Sequence, residues 1–405
     1  MIPPRPSRGL NSWGARAVQR RMPDTLSVKR GASTSRDPVV AAEELHAAIF
    51  DPSAALTLFF CSPDYDLDAL GAELVRRFGD APLVGCTTAG EIGPFGYREG
   101  SISGVSIGGP GFQVATVRVD ELRHFELARG DAAARAAIAK LGWSDGMIRS
   151  DDAFGFLLVD GLSTQEEALV SALYRTLGSI QLFGGSAGDG AKFEQTFVFH
   201  EGRFRADCAV FTLVECRHPF VVFKTEHFVA SSDKMVVTKA DHARRIVNEI
   251  NGAPAAREYA RVVGLPTDAL TPMVFADHPV VVRVGGSVYV RSIQKVNEDD
   301  SLTFFCAIDE GIVLTVAKGV DMVENLEEAF ASVERAIGPP DLVIGCDCVL
   351  RSLEAGERRI RDRIGSVMAK NNVVGFATYG EQFNAMHVNQ TFTGVAIAGG
   401  VGDGG

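Results

Sequence analysis

Three strand-like segments of this chain run into one recurring pattern, and that pattern sets the strongest limit on how the chain can fold. The segments are Gly85-Cys86-Thr87-Thr88-Ala89-Gly90-Glu91, Gly184-Gly185-Ser186-Ala187-Gly188-Asp189 and Gly375-Phe376-Ala377-Thr378-Tyr379-Gly380-Glu381. Each carries a hydroxyl residue, a spacer, a glycine and an acid, matching Thr88, Ser186 and Thr378 across the three. Glycine permits close backbone approach and positive φ. The hydroxyl and the acid can bond the local backbone, so each segment must stop a strand in a tight turn. Two readings follow. The turns are either three separate strand ends or three loops converging on one ligand site, since sites gather at strand ends.

The rest of the pattern mixes helices and strands. Helical spacing is expected over Val39–Phe50, Asp68–Phe78, Ala132–Leu141, Gln165–Leu177, Ala240–Ile250, Ala255–Val263, Asp321–Ile337 and Leu350–Ala369. Strand-like runs include 56–60, 82–86, 101–107, 112–119, 154–159, 180–183, 195–200, 204–214, 220–224, 342–346, 373–378 and 391–398, with hairpins expected over 280–296 and 301–316. Frequent hairpins argue for an α+β fold, with mixed, largely antiparallel sheets layered with helices. With 405 residues the chain suits two modules, 37–225 and 226–400, after a disordered leader at 1–36 and before a flexible tail at 401–405. Arg20-Arg21 is followed by no apolar signal core, and Met22 is an alternative start.

Composition narrows the function classes. The net charge is −11 and no basic run stands in the folded part, which argues against nucleic-acid binding. Seven scattered cysteines do not suggest a disulfide framework and fit a reducing, cytoplasmic setting. No apolar run is long enough for a membrane span. The 25 Phe against 6 Tyr and 2 Trp supply apolar area, either to a large core or to a pocket for a flat ligand.

Several motifs in order carry a family resemblance. The first turn with its flanks, Leu83 to Ile92, resembles the signature of the N-terminal FIST domain, and Leu182 to Asp189 its second signature. Val237 to Ala240, Asn251 to Ala255 with Glu258 and Tyr259, and Thr378 to Glu381 resemble the C-terminal FIST domain. The resemblance spans about residues 38–400 and implies a non-catalytic intracellular sensor of small ligands. Its pocket would be lined by Cys86, Thr87, Thr88, Gly90, Glu91, Gly185, Ser186, Asp189, Thr378, Tyr379 and Glu381. Phe197 to Gly202 and Phe223 to Phe228 are similar to the haem-binding, nitric-oxide-sensing NosP branch. That likeness implies haem b and, as partner, a sensor histidine kinase or a cyclic-di-GMP enzyme.

A haem sensor needs a neutral histidine in apolar company as axial ligand. His200 closes an apolar strand and is the first candidate. His227, beside Phe228, is the second, and His387, after the Glu381 turn, the third. Arg203 and Arg205 could pair with the propionates or remain solvated. The alternative is a haem-free sensor of an amino acid or other small metabolite in the same pocket.

Three further patterns carry less. Gly184 to Gly188 matches the G-x-S-x-G elbow of serine hydrolases, but no helix pattern follows Ser186. The terminal G-x-G-x-x-G has no helix after it. Cys346-Asp347-Cys348 lacks a partner pair for zinc, and Cys348 at a helix start is a candidate redox thiol.

Overall fold

The computed structural model describes residues 25–143, 150–284 and 287–399. Arg20, Arg21, Met22 and the 401–405 tail lie outside them. The fold is α+β, as expected, and one unit recurs three times.

The first unit runs β1 (Ser27–Ser33), α1 (Pro38–Ile49), β2 (Ala54–Cys61), α2 (Leu67–Phe78), β3 (Leu83–Thr87), a hairpin β4 (Glu91–Gly93) and β5 (Gly96–Arg98), and β6 (Ile102–Gly108). The second runs β7 (Phe112–Asp120), α3 (Leu127–Lys140), β8 (Ala153–Val159), α4 (Glu166–Leu177), β9 (Gln181–Ser186), a hairpin β10 (Val198–His200) and β11 (Arg203–Arg205), and β12 (Cys208–Cys216). The third starts with β13 (Phe220–Glu226) and then takes an insertion. The insertion holds β14 (Phe228–Asp241), β15 (Ile246–Ile250), β16 (Ala253–Pro254), α5 (Ala255–Val263), α6 (Pro272–Asp277), β17 (Val280–Val284), β18 (Ser287–Arg291), β19 (Ile293–Val296), β20 (Leu302–Phe304) and β21 (Val313–Gly319). The unit resumes with α7 (Met322–Ile337), β22 (Leu342–Cys348), α8 (Val349–Glu357), α9 (Arg361–Lys370), β23 (Val373–Thr378), the hairpin β24 (Glu381–Phe383) and β25 (Met386–Val388), and β26 (Thr391–Ile397).

Local chemistry explains the helices. Asp37, Asp66 and Asp321 cap α1, α2 and α7 through backbone N–H groups of the first turn. Leu70, Leu74 and Phe78 fall every fourth residue on the buried side of α2, and Leu326, Phe330 and Val333 do the same work on α7.

The sheets show how the units join. Each six-stranded sheet takes four strands from one unit and the hairpin of another. The orders are β1-β6-β2-β3-β10-β11, β7-β12-β8-β9-β24-β25 and β13-β26-β22-β23-β4-β5. So the first unit lends its hairpin to the third, the second to the first, and the third to the second. The only parallel pairs among the described residues are β2/β3, β8/β9 and β22/β23. Residues from all three sheets, including Phe60, Phe156, Phe183, Ile344 and Phe376, share one central core. Each sheet's other face is covered by its own helices in a separate cluster. The insertion has a core of its own around Met235, Tyr259, Phe275 and Leu314.

Several expectations change. The leader expected at 1–36 is ordered at Ser27–Ser33, a strand paired with β6 along its whole length, while its residues 1–24 lie outside the described ones. The cut between 225 and 226 falls inside β13, and hairpins cross it in both directions, β4 to β23 and β24 to β9. Ala240–Ile250 is the end of β14, a turn and β15 rather than a helix. Arg245 has φ 56° and its N–H donates to the His242 carbonyl, which closes that turn. Leu350–Ala369 is two helices, broken where Arg359 takes φ 55°.

Candidate functional site

The three recurring turns meet. Six backbone hydrogen bonds link them in a closed belt that repeats from unit to unit. The N–H groups of Ala89, Gly188 and Tyr379 donate to the carbonyls of Ala377, Thr87 and Ser186, at 2.9, 3.0 and 3.3 Å. Those of Thr87, Ser186 and Ala377 donate to Phe197, Gly380 and Gly90, at 2.9, 2.9 and 2.7 Å.

The belt also corrects the register of the motif. Gly85 faces Phe59, Gly184 faces Leu157, and Gly375 faces Gly345 across the parallel pairs. Ser186 therefore stands where Thr87 and Ala377 stand, and Ala187 where Thr88 and Thr378 stand. Asp189 begins an excursion, residues 189–197, that the other two units lack. Its carboxylate accepts from the N–H groups of Phe193, Glu194 and Gln195, each at 2.8 Å, and from the Tyr379 hydroxyl. Asp189 and Tyr379 thus hold a loop in shape.

The remaining pocket candidates divide between framework and site. Cys86 is wholly buried in the central core, and burial pushes its thiol well above the usual range, so it faces no open pocket. The Thr87 hydroxyl accepts from Phe197 N–H at 3.0 Å. The Thr378 hydroxyl donates to the Ser186 carbonyl at 2.7 Å. Gly185 is required by packing, since a Cβ there would stand 2.7 Å from the Phe376 ring. Gly90 has φ 139°, a backbone open to glycine and strained for other residues.

Glu91 and Glu381 are true equivalents. Glu91 accepts from Ser101 N–H at 3.0 Å and from Ser101 Oγ at 2.6 Å. Glu381 accepts in the same way from Thr391, at 3.1 and 2.7 Å. Burial raises the Glu91 carboxyl to about 7, and raises that of Glu381 well above the usual range. Glu91 lines a shallow, solvent-open cleft of about 210 Å³ with Ala32, Thr34, Phe95, Arg98 and Ser103.

The haem candidates do not converge. His227 is fully buried between two charged groups. Its Nδ1 lies 2.6 Å from the Arg351 guanidinium and its Nε2 2.9 Å from Glu354 Oε2. Arginine only donates, so Nδ1 accepts, Nε2 carries the proton, and neither nitrogen is left for iron. Burial, with Arg351 alongside, lowers its pKa to about 4. Arg351 also donates to Asp347 at 2.6 Å, and Asp347 is pushed up to about 6 by burial.

His200 does close β10, and burial keeps it neutral. Its Nε2 shares a hydrogen with Thr116 Oγ1 at 3.2 Å, and Nδ1 has no hydrogen-bond partner. Its surroundings are Glu201, Arg118, Arg205 and Lys140, not an apolar slot. Arg205 is spent on the carbonyls of His200 and Arg203, while Arg203 is exposed. As folded, these residues do not fit a haem. Among the described residues no group of three or more His, Cys, Asp or Glu could hold a metal ion.

Ser186 ends β9, and an extended loop rather than a helix follows it. Its hydroxyl accepts from Gln382 Nε2 at 3.1 Å, and that amide separates it from His387 Nδ1, 3.4 Å further on. The elbow geometry of a serine hydrolase is absent here. Cys348 caps α8 as expected, yet burial raises its thiol instead of lowering it, which removes the redox reading.

The structure adds residues that no spacing signalled. The first turn of α4 presents Glu166 and Glu167, both 2.6 Å from Arg245 of the insertion. Beside them, His387 and Asn389 are buried with unpartnered polar atoms: His387 Nε2, Asn389 Nδ2 and Asn389 Oδ1. His387 had ranked third on sequence. Gln382 and Asn389 had no signal, because a single amide in a strand or loop resembles any other.

No described helix is long and apolar enough to cross a membrane. A solved structure, the cyanuric acid hydrolase from A. caulinodans, aligns over 92% of this chain and 99% of its own, at 10% identity and a TM-score of 0.39. The uncharacterized protein MJ1623 of Methanocaldococcus jannaschii is 23% identical over 279 residues, covering 60% of this chain. The chain spans about half the length of that curated relative, 54%. The FIST N domain matches residues 55–253 and the FIST C domain residues 255–384. FIST domains are sensory domains of signal-transduction proteins that bind small ligands, and across four-fifths of its length this chain is a member of the FIST family.

Proposed function

We propose that the protein is a non-catalytic sensor that binds a small polar metabolite, such as an amino acid, and relays its presence to a signalling partner. The observation that carries this reading is the set of unpartnered polar atoms on His387 and Asn389. Buried polar groups are normally satisfied, and each exception calls for a water, an ion or a ligand. These two lie where the belt, α4 and the insertion meet, so an occupant would touch all three. An occupant favoured by one arrangement of these elements shifts the protein toward it, which is what a sensor requires. The relay partner, a histidine kinase or a cyclic-di-GMP enzyme, belongs to the proposal by family resemblance alone.

The test is a metabolite screen by thermal melting of the full chain. A saturable rise in Tm by one class of compound is the expected result. A flat response across amino acids, organic acids and amines counts against the reading.

Haem with nitric oxide stands as a second reading, supported by the unpartnered Nδ1 of His200. It requires the polar surroundings of His200 to open. An absorption spectrum of freshly isolated protein decides it. A Soret band that shifts with nitric oxide and moves in His200→Ala supports haem, and a colourless protein that takes up none removes it.

A further inference from the structure

Resting on the sensor reading above, we infer that His387, Asn389 and Arg291 form the anchor for a carboxylate group of the ligand. The argument starts with Gln382. Its Nε2 lies 3.2 Å from the Gly380 carbonyl, which can only accept, so that end of the amide must be the NH₂. The same nitrogen faces His387 Nδ1 at 3.4 Å. An amide nitrogen donates and does not accept, so the tautomer that suits this contact has Nδ1 unprotonated and the ring proton on Nε2. Burial keeps the imidazole neutral. His387 Nε2 is thus an N–H donor, 3% exposed as a residue and without an acceptor.

Asn389 adjoins it. A Cβ built on Gly380 would lie 2.6 Å from His387 Nε2 and 3.1 Å from Asn389 Nδ2, so both nitrogens flank the same bare backbone. Asn389 is fully buried, and neither atom of its amide is bonded. Arg291 of the insertion stands near enough for its charge to act on the His387 ring. Its Nη1 donates to the His387 carbonyl at 3.2 Å and lies 3.5 Å from the Val290 carbonyl. Both partners are neutral carbonyls, so the charge of Arg291 is not neutralised by them.

Three donors, one of them charged, suit a planar oxyanion, and guanidinium–carboxylate pairing is the strongest such contact. Glu166 and Glu167 share the single Arg245 guanidinium, so one negative charge remains over beside His387, and it favours a ligand whose carboxylate is accompanied by a positive group. The bound carboxylate would join β25 and its following loop to β18, and so tie the insertion to the third unit.

The experiment is calorimetric titration of the full chain at fixed ionic strength. The probes are acetate, succinate and L-aspartate as carboxylates, with urea and ethylammonium as comparisons. At least one carboxylate should bind saturably at one per chain, with urea and ethylammonium silent. Asn389→Asp, nearly isosteric and like-charged with the ligand, should weaken binding at least tenfold. Arg291→Gln should do the same, and Arg291→Lys should retain more affinity than Arg291→Gln. Should Arg291→Gln fail to fold, Asn389→Asp reads the site by itself. Carboxylate binding untouched by Asn389→Asp overturns this location. Binding of urea or ethylammonium with no carboxylate response overturns the ligand class and leaves the sensor reading intact. Silence from all five probes, as for a site filled only by water, overturns the anchor, and the wider metabolite screen then judges the sensor reading separately.

Discussion

Glu91 and Glu381 each bond a hydroxyl and an N–H ten residues later in the chain, and each is buried. Desolvation favours their protonated forms. For Glu91 the folded value of about 7 exceeds the ordinary 4.5. The folded state therefore holds a proton that the unfolded state releases, and stability falls as pH rises from about 4.5 to about 7. Asp347, at about 6, acts in the same direction. Glu91→Gln should flatten this slope, removing about 3 kcal/mol of pH dependence across the window. Urea unfolding at several pH values checks it, and an unchanged slope would contradict the burial argument. Arg351 offers a second test at this scale. It is fully buried against Asp347 and His227. Arg351→Met strands Asp347 without its partner and should cost about 3–5 kcal/mol. The double variant Arg351→Met with Asp347→Leu should recover much of that loss, as read by denaturant midpoints.

Glycines set the spacing at the level of elements. A Cβ at Gly375 would come 1.8 Å from the Gly345 carbonyl oxygen, backbone against backbone across the parallel pair. Gly375→Ala should therefore prevent β22 and β23 from pairing in this register, seen as loss of soluble folded protein. At Gly380 the Cβ would stand 2.3 Å from His387 Cε1, a side-chain atom that can move. Gly380→Ala should cost about 1–3 kcal/mol and shift the His387 imidazole signals in NMR spectra. Much of this level was legible in the sequence, because α2, α7 and the buried strands follow simple periodicity. The misreadings have physical causes. Asp241 at the end of β14 and the four-residue turn that follows it, with His242, Arg244 and Arg245, mimic a helical charge pattern. A single left-handed residue, Arg359, splits one apparent helix into two.

In the whole molecule, three units exchange hairpins around a shared core, and a two-module cut would sever two of those exchanges. Fragments 1–225 and 226–405 made separately should lack the cooperative melt of the intact chain, and made together they should regain it. Independent melting of either fragment would show that the exchanges are dispensable. The three recurring turns were visible as motifs, but the three-fold arrangement was not. The second unit hides it in two ways. Ser186 occupies the place of Thr87, one position off the apparent alignment, and the 189–197 excursion displaces Asp189 from the place of Glu91. The site itself was legible only in part. Backbone contacts bring the motifs together, while the unpartnered amide and imidazole lie on a hairpin and loop whose partners are hundreds of residues away.

The ring of borrowed hairpins also has a direction in time. β3 receives its neighbour β10 about 110 residues after it is made, and β23 finds β4 already waiting. β9 must wait for β24, about 200 residues downstream. At roughly 5–20 residues per second on the ribosome, that edge stays bare for on the order of 10–40 seconds. An unpaired edge strand is a template for aggregation. The nascent chain is therefore most exposed while residues 187–383 are being made, and slow codons or scarce chaperones there should lower the yield of folded protein more than the same delay placed after residue 383.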